Sequence, residues 1–342
     1  MNKSKLVRAL VASTCFMAAS GALQAADDFI GMVTGSKTGT YIKVGQDIAD
    51  SARAYGVDIQ VKESGGSLDN IRRMNSRENA GFGIVQSDVL GYMQRSNDPA
   101  LVKVADRLRM VFPLYNEEVH IFANKSIRSL SDLNGRSVSI GKDGGGTWMT
   151  ATNLFGIVGV RPAQIHNWDN AKAAAAVLDG NLDAMFYVAG KPVTFFEKVG
   201  QLANNPEYSD RFRNVHFVPV SDPAVLNEYA TSSIGPSDYP WISEKSAAVA
   251  VKAMMVSYDF SSRRNTYYAM RCDQLGQISN ALYADIDRLR TGGSTPKWME
   301  VDLNASIGNW KRDSCSARSS SQPSGPRSGS STEDALKNAL GL

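Results

Sequence analysis

Histidine and cysteine are scarce in this 342-residue chain, three of each, and their scarcity excludes several chemistries. His120, His166 and His216 are widely spaced, and none belongs to a His-Glu-x-x-His pair, so no metal site is expected and each histidine is expected to be structural or solvated. No Gly-x-Ser-x-Gly elbow occurs, and no cysteine lies near a glycine-rich loop. Thr34-Gly35-Ser36-Lys37-Thr38-Gly39-Thr40 is not a full phosphate-binding loop, and the lysine of Gly141-Lys142-Asp143-Gly144-Gly145-Gly146-Thr147 stands at the wrong end for one. Neither a catalytic residue nor a cofactor is therefore expected. Apolar runs long enough for a bilayer, roughly 20 residues, are also missing.

Lys3, Lys5 and Arg8 precede the apolar run Ala9 to Ala19, and the small-residue stretch Ala22-Leu23-Gln24-Ala25-Ala26 follows. This order of basic, apolar and small residues reads as an export leader over residues 1–26, so the remainder is expected outside the cytoplasm, in the periplasm. The formal charge of +3 contains those three basic residues and no acidic residue before Asp27, so the processed chain is neutral. Nucleic acid is thereby an unsuitable partner. Cys15 leaves with the leader. Cys272 and Cys315 remain, as a single disulfide or as two independent thiols.

What is present is an alternation of short apolar runs with helical patterns, the mark of an α/β protein. Phe29 to Val33 reads as a buried strand, Tyr41 to Tyr55 as an amphipathic helix stopped by Gly56, and Val57 to Lys62 as a strand. Leu68 to Asn75 starts a second helix, and Phe82 to Val85 is a strand that delivers Gln86-Ser87-Asp88. A similar unit recurs at Val138-Ser139-Ile140, a glycine loop, and a helix from Thr147 to Phe155 ended near Gly156. Ala171 to Leu178 is helical and Ala184 to Val188 a buried strand. Met110 to Tyr115 and Val119 to Ala123 are expected to be extended crossover segments. Ser314 to Ser331, rich in Ser, Pro, Gly and Arg, reads as a disordered linker before a short amphipathic helix capped by Thr332.

Four glycine-containing loops, Thr34–Tyr41, Ser64–Asn70, Gly141–Trp148 and Val188–Pro192, each lie where a strand ends. Ligands of open α/β sheets bind at such positions. Glycine admits close backbone approach, and the unpaired N–H groups of a helix's first turn favour an anion. A small anionic solute is the expected ligand.

The set Thr34-Gly35-x-x-x-Gly39-Thr40-Tyr41, Ser64-Gly65-Gly66-Ser67-x-x-Asn70, Gln86-Ser87-Asp88, Gly144-Gly145-Gly146-Thr147-Trp148 and Asp183 to Pro192 resembles the TAXI family, the extracytoplasmic solute receptors of TRAP transporters. The resemblance runs from about Phe29 to about Leu303. It departs at Gly145, where the family commonly carries serine, and in the Ser-rich extension. It implies a type II periplasmic-binding-protein fold with two α/β lobes flanking a ligand cleft. It also implies delivery of a small carboxylate, such as glutamate or a related organic acid, to a TRAP permease in the membrane. By position, Thr38, Gly39, Thr40, Tyr41, Gly66, Ser67 and Asn70 would form one wall, Gln86 and Ser87 the floor, and Gly146, Thr147, Trp148, Tyr187, Gly190 and Pro192 the other wall. On this reading residues 27–115 and 220–313 build lobe I, 116–219 build lobe II, and 314–342 form a tail, in a monomer. The alternative is a ligand-sensing periplasmic protein that signals to a membrane receptor kinase.

Overall fold

The computed structural model describes residues 30–37, 39–76 and 80–319. The leader expected at 1–26, Thr38 and the tail beyond 319, with its expected terminal helix, lie outside the described residues. Ile30–Val33 (β1), Ile59–Lys62 (β2) and Phe82–Gln86 (β3) pair in parallel, with β1 central. Both β1 and β3 are buried throughout, as continuous apolar runs in a parallel sheet must be. Thr40–Arg53 (α1) follows β1 and Ser67–Ser76 (α2) follows β2. Val44, Ile48, Ala49 and Ala52 form the buried stripe of α1.

The two crossover segments expected from sequence are one continuous strand, Leu108–Asn124 (β4). Beyond it lie Ser137–Ser139 (β5), Gln164–His166 (β6) and Ala184–Ala189 (β7), and β5 pairs in parallel with both β6 and β7. Val215–Phe217 (β8) adds to β4, Ala230–Ile234 (β9) adds to Ser246–Tyr258 (β10), and β10 runs antiparallel between β3 and β4. The resulting order is β2-β1-β3-β10-β4-β7-β5-β6. Each end is a parallel triple flanked by an antiparallel long strand, which gives structural substance to the repetition seen between residues 29–55 and 138–156. Pro113, which has no N–H for the ladder, stands opposite Met254 beside a register shift in β10.

Gly146–Val158 (α3) follows β5. It does not stop at Gly156. It runs on to Gly159, whose φ of 75° forms the left-handed end that glycine favours. The sequence pattern did not reveal β6, β8 and β9, the helix Thr194–Gln201 (α4), β10, or the 27-residue helix Thr266–Gly292 (α5).

Apolar side chains gather in three clusters. The first joins β1–β3, α1, Leu108 to Tyr115 of β4, Ala253 to Tyr258 of β10 and one face of α5. Along β4 the side chains then alternate between faces: Val119, Ile121 and Ala123 enter a second cluster, and Phe122 enters an aromatic third with Phe196, Phe217 and Tyr239. Val218, Val220, Val225, Val249 and Val251 pack in the second cluster. The chain therefore rejoins the first core inside β10, about thirty residues later than the expected boundary near 220. Cys272 of α5 and Cys315 are joined in a disulfide. Residues 314–319, expected to be disordered, form a short helix (α6) in which Cys315 and Ser316 are buried. Besides the disulfide, Ser316 N donates to Asp313 (2.6 Å) and Ser279 Oγ donates to Ser316 O (2.9 Å).

Candidate functional site

The C-terminal ends of β1, β3 and β7 open onto one cleft of about 660 Å³. Gly39 caps α1 and Gly145 caps α3. Neither helix has a side-chain cap, and neither carries an acidic residue in its first turn. Their leading N–H groups therefore keep both their unmet hydrogen-bonding capacity and the positive end of the helix dipole. Gly39, Thr40, Tyr41, Gly146 and Thr147 all line the cleft.

Backbones approach closely here. Gly66 has φ 103°, and a Cβ on it would stand 3.5 Å from Gly146 N. A Cβ on Gly146 would overlap the Gln86 carboxamide, 2.7 Å from Cδ. One on Gly190 would overlap Lys297 Cε and lie 3.0 Å from Asn116 O. The hydroxyls are fixed from behind: Ser67 Oγ accepts from Gln86 N (3.0 Å), and Thr147 Oγ1 accepts from Val188 N (3.1 Å). Thr147 thus fastens α3 to β7 with its lone pair, and its hydroxyl proton is not used in that bond.

Of the residues singled out from sequence, Gly39, Thr40, Tyr41, Gly66, Ser67, Gln86, Gly146, Thr147, Tyr187, Gly190 and Pro192 line the cleft together. Asn70, Ser87 and Trp148 do not. Asn70 is fully buried and spends its amide on Thr34 O and Ile84 O, both at 2.7 Å, stitching the first loop to β3. Ser87 exchanges hydrogen bonds with Lys252, accepting from its N at 3.0 Å and donating its own N–H to its O at 2.8 Å, which ties β3 to β10. Trp148 packs edge-on against Tyr92 and touches both the first and second cores. Thr38 lies outside the described residues.

The sequence reading missed charged members of the lining. Glu117 of β4 is 5% exposed, and its Oε2 accepts from Tyr41 Oη at 2.7 Å. Burial pushes its carboxyl up to about 8 against the opposing hydrogen bonds of Tyr41 and Gln86, and the negative Glu118 and Asp88 add to the rise. Lys297 is buried with its Nζ 2.5 Å from Glu300, and Lys191 is paired with Asp238 at 3.2 Å. The available signal was a pair of adjacent glutamates, Glu117-Glu118, inside a strand that is otherwise largely apolar.

His120 is fully buried. Its Nδ1 lies 2.9 Å from Glu118 O and its Nε2 2.8 Å from Tyr239 Oη, and it stacks on Phe196. Burial lowers its pKa to about 4, so the ring is neutral, donating through Nδ1 and accepting the Tyr239 hydroxyl. Among the described residues, no three His, Cys, Asp or Glu side chains are grouped to hold a metal ion, and no helix is long and apolar enough to cross a membrane.

Residues 32–270 match the model of the NMT1-like family. Among solved structures, the chain is similar to the periplasmic sulfonate-binding protein SsuA of a putative sulfonate ABC transporter from Methylobacillus flagellatus, at 12% identity over 81% of this chain and 74% of that one, with a TM-score of 0.44. It is also similar to the periplasmic binding protein BugD, at 12% identity over 92% and 97% of the two chains and a TM-score of 0.45. A third similarity is to the Candida albicans CA3427 gene product, described as exhibiting the generic periplasmic binding protein structural fold, at 11% identity over 91% and 94% and a TM-score of 0.45.

Proposed function

From the premise that this chain belongs to the NMT1-like family, we propose that it is an exported solute receptor that binds a small carboxylate in the cleft and hands it to a membrane transporter. The observation that carries this reading is the convergence of two uncapped helix N-termini, α1 and α3, on one cleft. Each offers several N–H donors and a favourable field, so an anion is held without a dedicated arginine. The glycines at 66, 146 and 190 let main chain rather than side chain form the walls.

The TAXI-like motifs support a finer reading, in which the solute is an amino acid such as glutamate or a related organic acid and the transporter is a TRAP permease. Lobe I then comprises residues 30–115 and 253–315, and lobe II residues 116–251, following the division of the cores. The lobes close about β4 and β10, and a ligand touching both walls stabilises the closed state. Export by the leader at 1–26 puts the receptor in the periplasm.

A thermal-shift screen of ligand-stripped protein against amino acids, dicarboxylates, 2-oxo acids and sugars tests the proposal. A ligand that binds only the native state raises the melting temperature by an amount that grows with its excess over Kd. A shift confined to carboxylates is expected. A shift with sugars alone would refute the anion site.

A further inference from the structure

Two helix N-termini make the cleft favourable to negative charge, yet a carboxyl group stands on its wall. Glu117 lines the cleft, is almost wholly buried, and has no lysine or arginine in a salt bridge with it among the described residues. The groups around it can be named element by element. Tyr41 of α1 donates to its Oε2, Gln86 of β3 supplies an amide, and Tyr115 and Glu118 flank it on its own strand. Tyr187 of β7 and Asp88, just past β3, complete the polar surroundings, and Val251 of β10 is its uncharged register partner. The cations on neighbouring elements serve other acids: buried Lys297 holds Glu300, and half-buried Lys252, its pKa lowered first by desolvation, feels the opposing pull of Glu300 and Glu118. An ionised Glu117 would repel the anion that the helix termini attract; an uncharged one would donate a hydrogen bond to it.

We propose that Glu117 recognises the ligand as a neutral acid, donating its proton in a hydrogen bond to an oxygen of the bound anion, so that anion binding and protonation of Glu117 reinforce each other. The inference rests on the carboxylate reading of the cleft and narrows it. The end of the ligand that meets β4 is an acceptor oxygen, as in a dicarboxylate or 2-oxo acid, and not an ammonium group. Burial already holds the carboxyl protonated at neutral pH. A second negative charge beside it strengthens that preference, and by linkage protonation strengthens anion binding by the same factor. Above the carboxyl's pKa in the free protein, each pH unit is therefore expected to cost up to about tenfold in affinity.

The probes are succinate and 2-oxoglutarate, whose carboxyls are fully ionised above about pH 7, with L-glutamate as a third. Titration calorimetry from pH 6 to 10 should give a Kd that is flat at the acid end and weakens several-fold to tenfold per unit above pH 8 to 9. Glu117→Gln, which keeps a neutral donor at the site, should give a flat profile over the same range. Titrating the wild type near pH 8.5 in two buffers of different ionisation enthalpy should show uptake of a substantial fraction of a proton, a readout that does not depend on the variant folding. A flat wild-type profile, an equal slope in Glu117→Gln, or affinity that rises with pH would overturn the role of Glu117 and leave the carboxylate reading intact. No binding of any probe, to protein shown folded by circular dichroism, would overturn the carboxylate reading and this inference with it.

Discussion

Two glycines of α3 should respond to the same substitution in opposite directions. Gly156 is exposed in the last turns of the helix, and a Cβ there meets nothing within 4 Å. Gly156→Ala thus changes only intrinsic helix preference, and should stabilise the protein by about 0.5–1 kcal/mol. Gly146 stands in the first turn, where the same preference is weaker, and its Cβ would lie 2.7 Å from Gln86 Cδ and 3.0 Å from Nε2. Gln86 has little room to yield: it is 2% exposed, and its main-chain N is tied to Ser67 Oγ. Overpacking of this kind costs about 1–3 kcal/mol, which outweighs the propensity gain, so Gly146→Ala should be net destabilising by about 1–2 kcal/mol. Urea unfolding of both variants beside the wild type measures this directly, and the comparison needs no ligand. Equal stabilisation of the two variants would refute the claim that α3 and β3 approach too closely for a side chain, and with it the main-chain character of the cleft wall at Gly146.

Other perturbations follow from the same structure. Loss of the Cys272–Cys315 bridge, by reduction or by Cys272→Ser, should lower stability by about 4 kcal/mol on the chain-entropy account of a 43-residue span, read as a difference between melts with and without reductant. Glu117, raised from 4.5 to about 8, contributes stability at low pH that is lost as pH climbs through that interval, whereas His120, lowered from 6.5 to about 4, contributes stability present above 6.5 and lost as pH falls. Between pH 6.5 and 8 the glutamate term falls by about 1.5 kcal/mol while the histidine term recovers only a few tenths, so the wild type should lose about 1 kcal/mol across that window and Glu117→Gln should not; parallel unfolding profiles would contradict this. Thr147→Val leaves the Val188 N–H without its acceptor and should cost about 1–3 kcal/mol in unfolding experiments even with no ligand present. An unchanged unfolding midpoint would show that α3 is fastened to β7 by other means.

The strands β1 to β3, the helices after β1 and β2 and the second β–loop–α unit were legible because buried parallel strands are continuous apolar runs and glycine marks the turns between them. β10 was not. Its sequence, Ser246 to Tyr258, mixes four alanines and two methionines with only three valines, and its place in the sheet is set by β3 and β4, partners remote in sequence. The glycine loops located the cleft, but small polar residues at a helix start serve a ligand or the backbone equally well. Asn70 and Ser87 serve the backbone, as their bonds to Thr34, Ile84 and Lys252 show. Glu117 and Lys297 belong to no motif, and only tertiary structure brings β4 and the segment after α5 to the same wall.

The late return of the chain through β10 also governs the order in which the molecule can be assembled. β3 finds its antiparallel neighbour in residues 253–257, and the first core is closed by α5 and sealed by Cys315, so about 140 residues, from Tyr115 to Ala253, separate the two pieces of that core. The intervening segment carries the second and third clusters, and most of their members lie near one another in sequence. A chain emerging from its N-terminus therefore exposes β3 as an open sheet edge until the final third arrives, while the middle can condense earlier. The portion made first is the portion finished last, and a truncation between β3 and residue 253 is expected to leave an open strand edge rather than a smaller working protein.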